Sequence, residues 1–258
     1  MRLLLIRHGD PDYRLDSLTE QGFREAKAFA ACADELGIDE LCVSPLGRAR
    51  DTARFTAEKL GMRPTELDWL REFPAVIDLD ACPQELRQAY GEHTFTEFRG
   101  AKRILWDMLP GYLAAHPELL DPEGWKRSDA AKHSDILAVW EHVTGEFERF
   151  LAERGYVREG AVFRVEHPNR RTAALFCNFG VSCALLAWLM NASPFLLWHA
   201  GCMQPSSLTE LVTEEREEGL AVFRMLRFGD TSHLSRAGLR PSFAARFCET
   251  FDEPNERH

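Results

Sequence analysis

Long apolar segments are absent from the sequence. The longest apolar run, at about residues 181–190, is too short for a bilayer-spanning helix, which needs about 20 residues. The apolar stretch at residues 3–6 is shorter than the hydrophobic region of a secretory signal peptide, and charged residues follow it at once. We therefore expect a soluble cytoplasmic protein with no membrane partner.

Lysine is scarce. The chain of 258 residues has 5 lysines beside 26 arginines, and its 41 acidic residues give a formal net charge of −10. This balance disfavours nucleic acid as a partner, because binding to a phosphate backbone requires a basic surface. Arginine, however, is the side chain whose planar guanidinium grips phosphate in two places. An acidic protein with an anionic ligand would have to concentrate a few arginines locally.

Familiar cofactor and metal motifs are also missing. The sequence contains neither a Walker loop nor a GxGxxG segment, so it does not support a nucleotide-cofactor enzyme. Its nine histidines show no ligand spacing such as HExxH, and we expect no metal and no other cofactor. The seven cysteines are an odd number, scattered mostly through apolar runs, which indicates buried thiols in a reducing compartment.

Short apolar strands alternate with amphipathic helices in the first part of the chain. Residues 2–6 and 40–45 predict buried strands; a helix follows the first strand, capped by Ser17 or Thr19 and ending at Gly37, and another ends at Gly61. Strand, helix, strand, helix implies a parallel α/β sheet. Further along, the pattern predicts the following elements: a helix at 135–154, a hairpin at 156–165, a strand at 171–180 entering a helix, and strands at 207–215 and 220–230.

The length fits one elaborated domain or two small ones. Between about residues 80 and 134, prolines and polar residues interrupt the periodic pattern. We interpret residues 80–134 as a lid or cap insertion of short helices, and residues 235–258 as a surface tail. The expectation is therefore a single domain over residues 1–258.

Three predicted strands end in polar residues. Arg7-His8-Gly9 follows the first strand, residues 44–48 follow the second, and Asn178 follows the strand at 171–180. In open α/β sheets, ligands bind outside the carboxyl ends of the strands. We therefore expect these loops to converge on one site.

The segments around these strand ends occur in the order seen in a known family. They are LLLIRHGDPDY, LTEQGFREA, VSPLGRARDTA and FCNFGVSCALLAWL, and together they resemble the histidine phosphatase superfamily, which includes phosphoglycerate mutases and broad-specificity phosphatases. The resemblance implies a three-layer α/β/α phosphoglycerate mutase-like fold with a mostly parallel central sheet and a helical insertion. It also implies a metal-independent phosphohydrolase that acts on a small phosphorylated molecule or binds phosphate.

The resemblance assigns roles to individual residues. His8 would attack phosphorus and form a phosphohistidine that water later hydrolyses. Arg7 and Arg48 would clamp the phosphoryl oxygens, because positioning and electrostatics govern this reaction. Glu72, in WLREF, matches the acid that protonates the leaving oxygen, although the usual glycine and tryptophan context after it is missing and a surface glutamate is the alternative.

Substrate contacts are expected from the loop after the RHG motif. Arg14 and Ser17 follow that motif and could touch substrate. An ordinary loop arginine and a helix N-cap serine explain them equally well.

Asn178 stands where the family carries a second histidine. An asparagine amide can donate a hydrogen bond to a phosphoryl oxygen, but it cannot be positively charged. Losing one preorganised donor of this kind costs on the order of 10²–10³ in rate. Three alternatives to an active phosphohydrolase therefore stay open: a non-catalytic phospho-ligand-binding protein, a phosphoglycerate mutase, and a scaffold with a relict pocket.

A rival motif is the Cys-x5-Arg spacing from Cys42 to Arg48, as in the cysteine-dependent phosphatases. With 7 cysteines and 26 arginines, this spacing is expected by chance about 0.7 times. Pro45 also removes a backbone amide that such a phosphate-binding loop would need. We therefore expect Cys42 not to be a nucleophile.

Overall fold

The computed structural model describes residues 1–90 and 101–242. The strands, in chain order, are β1 (Arg2–Arg7), β2 (Pro11–Asp12), β3 (Ser17–Leu18), β4 (Glu40–Val43), β5 (Thr65–Glu66), β6 (Val76–Asp78), β7 (Lys102–Ile104), β8 (Tyr156–Glu159), β9 (Val162–Val165), β10 (Thr172–Cys177), β11 (Leu208–Glu217) and β12 (Leu220–Asp230). The α-helices are α1 (Glu20–Ala31), α2 (Gly47–Leu60), α3 (Gln84–Gln88), α4 (Pro110–Ala115), α5 (Asp129–Lys132), α6 (Ile136–Ala152), α7 (Phe179–Met190), α8 (Pro194–Ala200) and α9 (Ser232–Arg236). Short 3₁₀ turns lie at Ala33–Leu36, Asp68–Leu70, Pro117–Leu120 and Gly124–Arg127.

The central sheet of the described residues has eight strands in the order β5-β4-β10-β1-β11-β12-β9-β8. β5, β4, β10 and β1 run parallel, and the pairs from β1–β11 onward are antiparallel. The predicted α/β class is confirmed. The parallel pairs are confined to one half of the sheet. In the other half, β11–β12 and β8–β9 are hairpins, whose strands are antiparallel because a tight turn joins them.

Helices α1 and α2 pack together over one face of the parallel strands. Ile6 of β1, Phe29 of α1 and Ala53 of α2 belong to one buried apolar cluster on this face. Leu3 and Leu5, which point to the opposite face because side chains alternate along a strand, are also fully buried. Both faces are therefore covered, as the three-layer arrangement requires.

Two element boundaries differ in detail from the sequence prediction. Thr19 caps α1, since its hydroxyl accepts the Gly22 N–H, whereas Ser17 lies in β3. The predicted helix to Gly37 stops at Ala31, and the remaining residues tighten into a 3₁₀ turn. Gly61 ends α2 in the left-handed conformation as predicted, with φ of 64°.

The chain divides into two compact units. The first contains Met1–Glu72, Glu148–Ser182 and the described part of the chain from Cys202 onward. It holds all eight strands of the central sheet and the loops at their carboxyl ends.

None of the helices in the described residues combines the length and the apolar character that a bilayer crossing requires.

The second unit contains Cys183–Gly201 and the described residues of Phe73–Phe147. Its interior is aromatic: Trp106 and Trp198 stack with centroids 5.0 Å apart, and the Phe73 ring lies 5.4 Å from that of Trp198. The single-domain interpretation, the lid role of residues 80–134 and the tail at 235–258 stay predictions. Within those ranges, residues 91–100 and 243–258 lie outside the described residues.

Candidate active site

Three loops leave the same edge of the parallel strands. Ile6 of β1 lies opposite Phe176 of β10, and Phe176 lies opposite Val43 of β4. The main chain stays paired just beyond these positions, where the His8 N–H donates to the Cys177 carbonyl at 3.0 Å. The segments that follow the three strands therefore emerge side by side at their carboxyl ends.

His8 is buried and electrically neutral. Its exposed fraction is 1%, and burial, followed by the nearby Arg7 and Arg48 guanidinium groups, holds its pKa well below the ordinary value of 6.5. Its Nδ1 lies 2.8 Å from the Gly9 carbonyl oxygen. Because a carbonyl can only accept, Nδ1 must carry the proton, and Nε2 is left with its lone pair.

Arg7 is fixed at one end of its guanidinium group. Its Nη1 donates to the Met203 carbonyl at 2.6 Å, and the group lies over the Phe179 ring, 5.5 Å from the centroid. Its Nε is buried and has no hydrogen-bond partner among the described residues. A buried guanidinium N–H that makes no hydrogen bond lowers stability. An anionic ligand that accepted this hydrogen bond would offset that cost.

Arg48 has the same arrangement. Its Nη1 donates to Asp16 Oδ1 at 2.8 Å, whereas its buried Nε has no partner within residues 1–90 and 101–242. The other carboxylate oxygen of Asp16 accepts the Gly47 N–H at 2.7 Å, at the start of α2. Asp16 therefore both orients Arg48 and places negative charge at the helix N-terminus, where it is favourable.

Asp16 was not predicted from the sequence. It is 32 residues from Arg48, so no local spacing signals the contact. Its φ of 47° lies in the left-handed region, which aspartate and asparagine tolerate better than most residues. Gly47 allows the close approach, because a Cβ there would lie 1.9 Å from the Asp16 carbonyl oxygen.

The main chain after His8 is held by two side chains. The Gly9 N–H donates to Thr52 Oγ1 at 2.9 Å, and that hydroxyl donates to the Arg48 carbonyl at 2.8 Å. The Asp10 N–H donates to Glu25 Oε2 of α1 at 2.8 Å. The loop that carries His8 and the start of α2 are thus connected directly.

Asn178 is fully buried between neighbouring loops. Its Nδ2 donates to Ser44 Oγ at 3.2 Å and to the Leu70 carbonyl at 3.3 Å. Because the Leu70 carbonyl can only accept, the NH₂ group must face that side. The remaining polar atom, Oδ1, is therefore an acceptor, and it has no hydrogen-bond partner in the described part of the chain.

The Glu72 side chain contacts the first turn of α7, the helix that follows Asn178 in the chain. Its Oε1 accepts the Val181 N–H at 3.1 Å, and the residue is partly buried. A carboxylate at a helix N-terminus is stabilised by the helix dipole. The structure thus brings Glu72 to the same strand edge as Asn178 and His8 and not to an isolated surface position.

Arg14 and Ser17 are less directly connected to this cluster. Arg14 is exposed in the turn between β2 and β3, where its backbone N–H donates to Asp12 Oδ1. The Ser17 hydroxyl donates to Asp51 Oδ2 at 2.5 Å. Their suggested role in substrate binding stays a prediction.

The cysteines of the site region are inert thiols. Burial raises the pKa of Cys42 to about 12 and that of Cys177 to about 12. A nucleophilic cysteine needs a lowered pKa, so the Cys-x5-Arg spacing has no catalytic counterpart. Among the described residues, no group of three or more His, Cys, Asp or Glu side chains is arranged to hold a metal ion.

Comparison with known families confirms the resemblance seen in the sequence. Residues 3–102 match the family model described as histidine phosphatase superfamily (branch 1). No curated protein matches the chain by sequence.

Solved structures similar to the chain include phosphatases and hydrolases. A mycobacterial glucosyl-3-phosphoglycerate phosphatase in complex with inorganic phosphate is 23% identical, with a TM-score of 0.53 over 90% of this chain and 98% of that one. Phosphoserine phosphatase from Entamoeba histolytica in complex with 3-phosphoglyceric acid is 15% identical, with a TM-score of 0.55 over the same shares, 90% and 98%. A protein described as mycobacterial hydrolase 1 is 19% identical, with a TM-score of 0.54 over 89% and 98%. At these identities the likeness establishes the fold.

Proposed function

We propose that this chain is a metal-independent histidine phosphatase that removes a phosphoryl group from a small phosphorylated molecule, with a phosphohistidine intermediate at His8. One observation carries the proposal: a buried neutral imidazole with a lone pair on Nε2 lies near two guanidinium groups, each anchored through Nη1 and each with a buried, unpartnered Nε. Such a pair of donors fits the oxygens of a phosphoryl group.

In the first step, the Nε2 lone pair of His8 forms a bond to phosphorus, and the bond from phosphorus to the ester oxygen breaks. Arg7 and Arg48 bind the phosphoryl oxygens, whose negative charge must be stabilised throughout the transfer. The ring becomes positively charged as it is phosphorylated. The Gly9 carbonyl, which accepts from Nδ1, stabilises that charge.

Glu72 supplies the proton for the leaving oxygen in this scheme. In the second step it takes a proton from water, the water oxygen bonds to phosphorus, and the bond from phosphorus to Nε2 breaks. Inorganic phosphate leaves, and His8 returns to its neutral state. The support for Glu72 is that its carboxylate accepts the N–H of Val181, which lies one helical turn after Asn178.

Asn178 lowers the expected turnover. As its hydrogen bonds orient it, its amide NH₂ is directed to Ser44 and Leu70, and the unpartnered atom is an acceptor. An acceptor repels a phosphoryl oxygen and does not stabilise it. This observation favours one second candidate, a phospho-ligand-binding protein in which the arginines hold an anion with little turnover.

The test of the main proposal is hydrolysis of an aryl phosphate. His8→Ala should abolish phosphate release, and an acid-labile phosphoenzyme should be trapped on the unchanged protein but not on this variant. The matched control is His167→Ala, because His167 is exposed at the end of the β8–β9 hairpin. Equal phosphate release from His8→Ala and the unchanged protein would refute the proposal.

A separate test concerns Asn178. Asn178→His should raise kcat for the aryl phosphate by about 10²-fold, because it restores a cationic donor for the phosphoryl oxygens. If the protein binds phosphate in an Arg48-dependent manner by calorimetry, yet neither it nor Asn178→His turns over, the phospho-ligand-binding function replaces the catalytic one.

A further inference from the structure

The peptide group between Gly9 and Asp10 is hydrogen-bonded at both ends. Its carbonyl oxygen accepts from His8 Nδ1 at 2.8 Å, and its N–H donates to Glu25 Oε2, also at 2.8 Å. A single planar peptide therefore connects a carboxyl group of α1 to the His8 ring.

We propose that Glu25 is a positioning residue, which fixes the orientation and tautomer of the His8 ring through this peptide and stabilises the positive charge that the ring acquires on phosphorylation. The inference rests on the proposed role of His8 as the nucleophile. It adds a group from outside the strand-end loops to the reaction, acting without contact with the substrate.

The physical basis is polarisation of the peptide. A carboxylate that accepts the Asp10 N–H draws the peptide dipole toward itself and increases the negative charge on the Gly9 oxygen. That oxygen becomes a stronger acceptor for the His8 Nδ1 proton. The tautomer with a lone pair on Nε2 is thereby favoured, and so is the positively charged phosphorylated ring.

The main chain at Gly9 and Asp10 packs closely against the main chain of α1 at Gly22. A Cβ at Gly22 would lie 2.2 Å from the Asp10 carbonyl oxygen, and a Cβ at Gly9 would lie 2.7 Å from the Gly22 carbonyl oxygen. The loop therefore lies directly on α1, one turn before Glu25. Thr19 adds a further tie, since its hydroxyl donates to Asp10 Oδ2 at 2.6 Å.

Glu25 is a costly residue for a purely structural task. Its exposed fraction is 0%, and among residues 1–90 and 101–242 its second oxygen receives one long hydrogen bond, 3.3 Å from Gln21 Nε2. Burial raises the pKa of Glu25 to about 7, although the hydrogen bonds from the Asp10 N–H and from Gln21 lower it; the Asp10 charge raises it and Arg7 lowers it. A glutamine would offer an oxygen to the same N–H without this desolvation cost.

The first experiment reads the His8 tautomer directly. In ¹⁵N-resolved NMR of the full chain, His8 should show a protonated Nδ1 and a bare Nε2. Glu25→Leu removes the hydrogen-bond acceptor but keeps a side chain of similar size, and it should give a mixture of His8 tautomers. Glu25→Gln should keep the single tautomer. Glu20→Gln is the matched control, because Glu20 is an exposed acid on the same helix. Unchanged His8 resonances in Glu25→Leu would overturn the inference, whatever the turnover of the protein.

The second experiment measures kcat against pH with an aryl phosphate. Glu25→Leu should lower kcat by about tenfold or more with little change in KM, because the ring is misoriented but the arginines still bind substrate. In the wild-type protein, kcat should rise as Glu25 ionises near pH 7. In Glu25→Gln the pH profile should lack this inflection, and kcat should stay near the value that the wild-type protein has below pH 7. If Glu25→Leu does not fold, an unaltered inflection in Glu25→Gln refutes the role of Glu25. His8 itself does not titrate in this range, because its pKa lies well below 6.5.

Discussion

The Arg48 guanidinium is oriented by the Asp16 carboxylate, which also caps α2. Asp16→Asn should lower kcat/KM for a phosphate ester by about fivefold, because a charge-assisted hydrogen bond becomes a neutral one on a half-exposed partner. Asparagine tolerates the left-handed backbone at this position, so the fold should be retained. Steady-state kinetics with an aryl phosphate measures the effect.

Asp12→Asn provides the control for that variant. It removes the same charge from the same loop, but in the described part of the chain its carboxylate accepts the backbone N–H groups of Arg14 and Leu15 and hydrogen-bonds to neither Arg48 nor α2. Its kcat/KM should stay within twofold of the unchanged protein. If both variants fall equally, the general charge of the loop, and not the Asp16–Arg48 pair, sets the rate.

At the scale of residues, the sequence indicates the groups that belong to a compact motif. His8 and Arg7 are adjacent, and Arg48 follows a strand end, so the resemblance and the strand-end rule find them together. Asp16 and Glu25 reach the site through contacts across 32 and 15 residues, for which a single sequence contains no signal. A buried acid on an amphipathic helix such as Glu25 is indistinguishable in sequence from an exposed one.

At the scale of elements, the glycines at the two ends of α2 have different physical roles. Gly47→Ala should displace Asp16, because a Cβ would lie 1.9 Å from its carbonyl oxygen, and should therefore lower both stability, by about 1–3 kcal/mol, and kcat/KM. Gly61→Ala has open space but a φ of 64°, so it should cost about 1 kcal/mol and leave kcat/KM unchanged. Urea unfolding and kinetics on both variants test this; an unaffected kcat/KM in Gly47→Ala contradicts it.

Elements with strong periodicity were predictable. The runs that became β1 and β10 are continuous and apolar, as buried parallel strands are, and the turn at Gly160 separates two β-like arms that form the β8–β9 hairpin. The N-cap of α1 was ambiguous in sequence because Ser17 and Thr19 are both good N-cap residues. In the structure Ser17 pairs with Asp12 in the β2–β3 ladder, which leaves Thr19 as the cap. The antiparallel half of the sheet depends on how β11 pairs with β1 across the chain, which local patterns do not encode.

At the scale of the whole molecule, Glu25 makes stability depend on pH. Its pKa is raised from 4.5 to about 7 in the folded protein, so the folded state holds a proton that the unfolded chain has already released. Its contribution to stability is complete below about pH 4.5 and is lost as the pH rises through 7. From pH 4.5 to 8, Glu25→Gln should gain roughly 2–3 kcal/mol of unfolding free energy relative to the unchanged protein. Urea unfolding of both proteins across this range measures the gain, and a constant difference would contradict it.

The contact between Gly9 and Gly22 limits how this chain can evolve. A side chain at either position collides with the main chain of the other segment, with Cβ distances of 2.7 and 2.2 Å. A second substitution cannot relieve the collision, because there is no opposing side chain to shrink. Both positions must therefore remain glycine, since no second substitution can compensate for a side chain at either one. Sequence variation around His8 is confined to the positions that flank this contact.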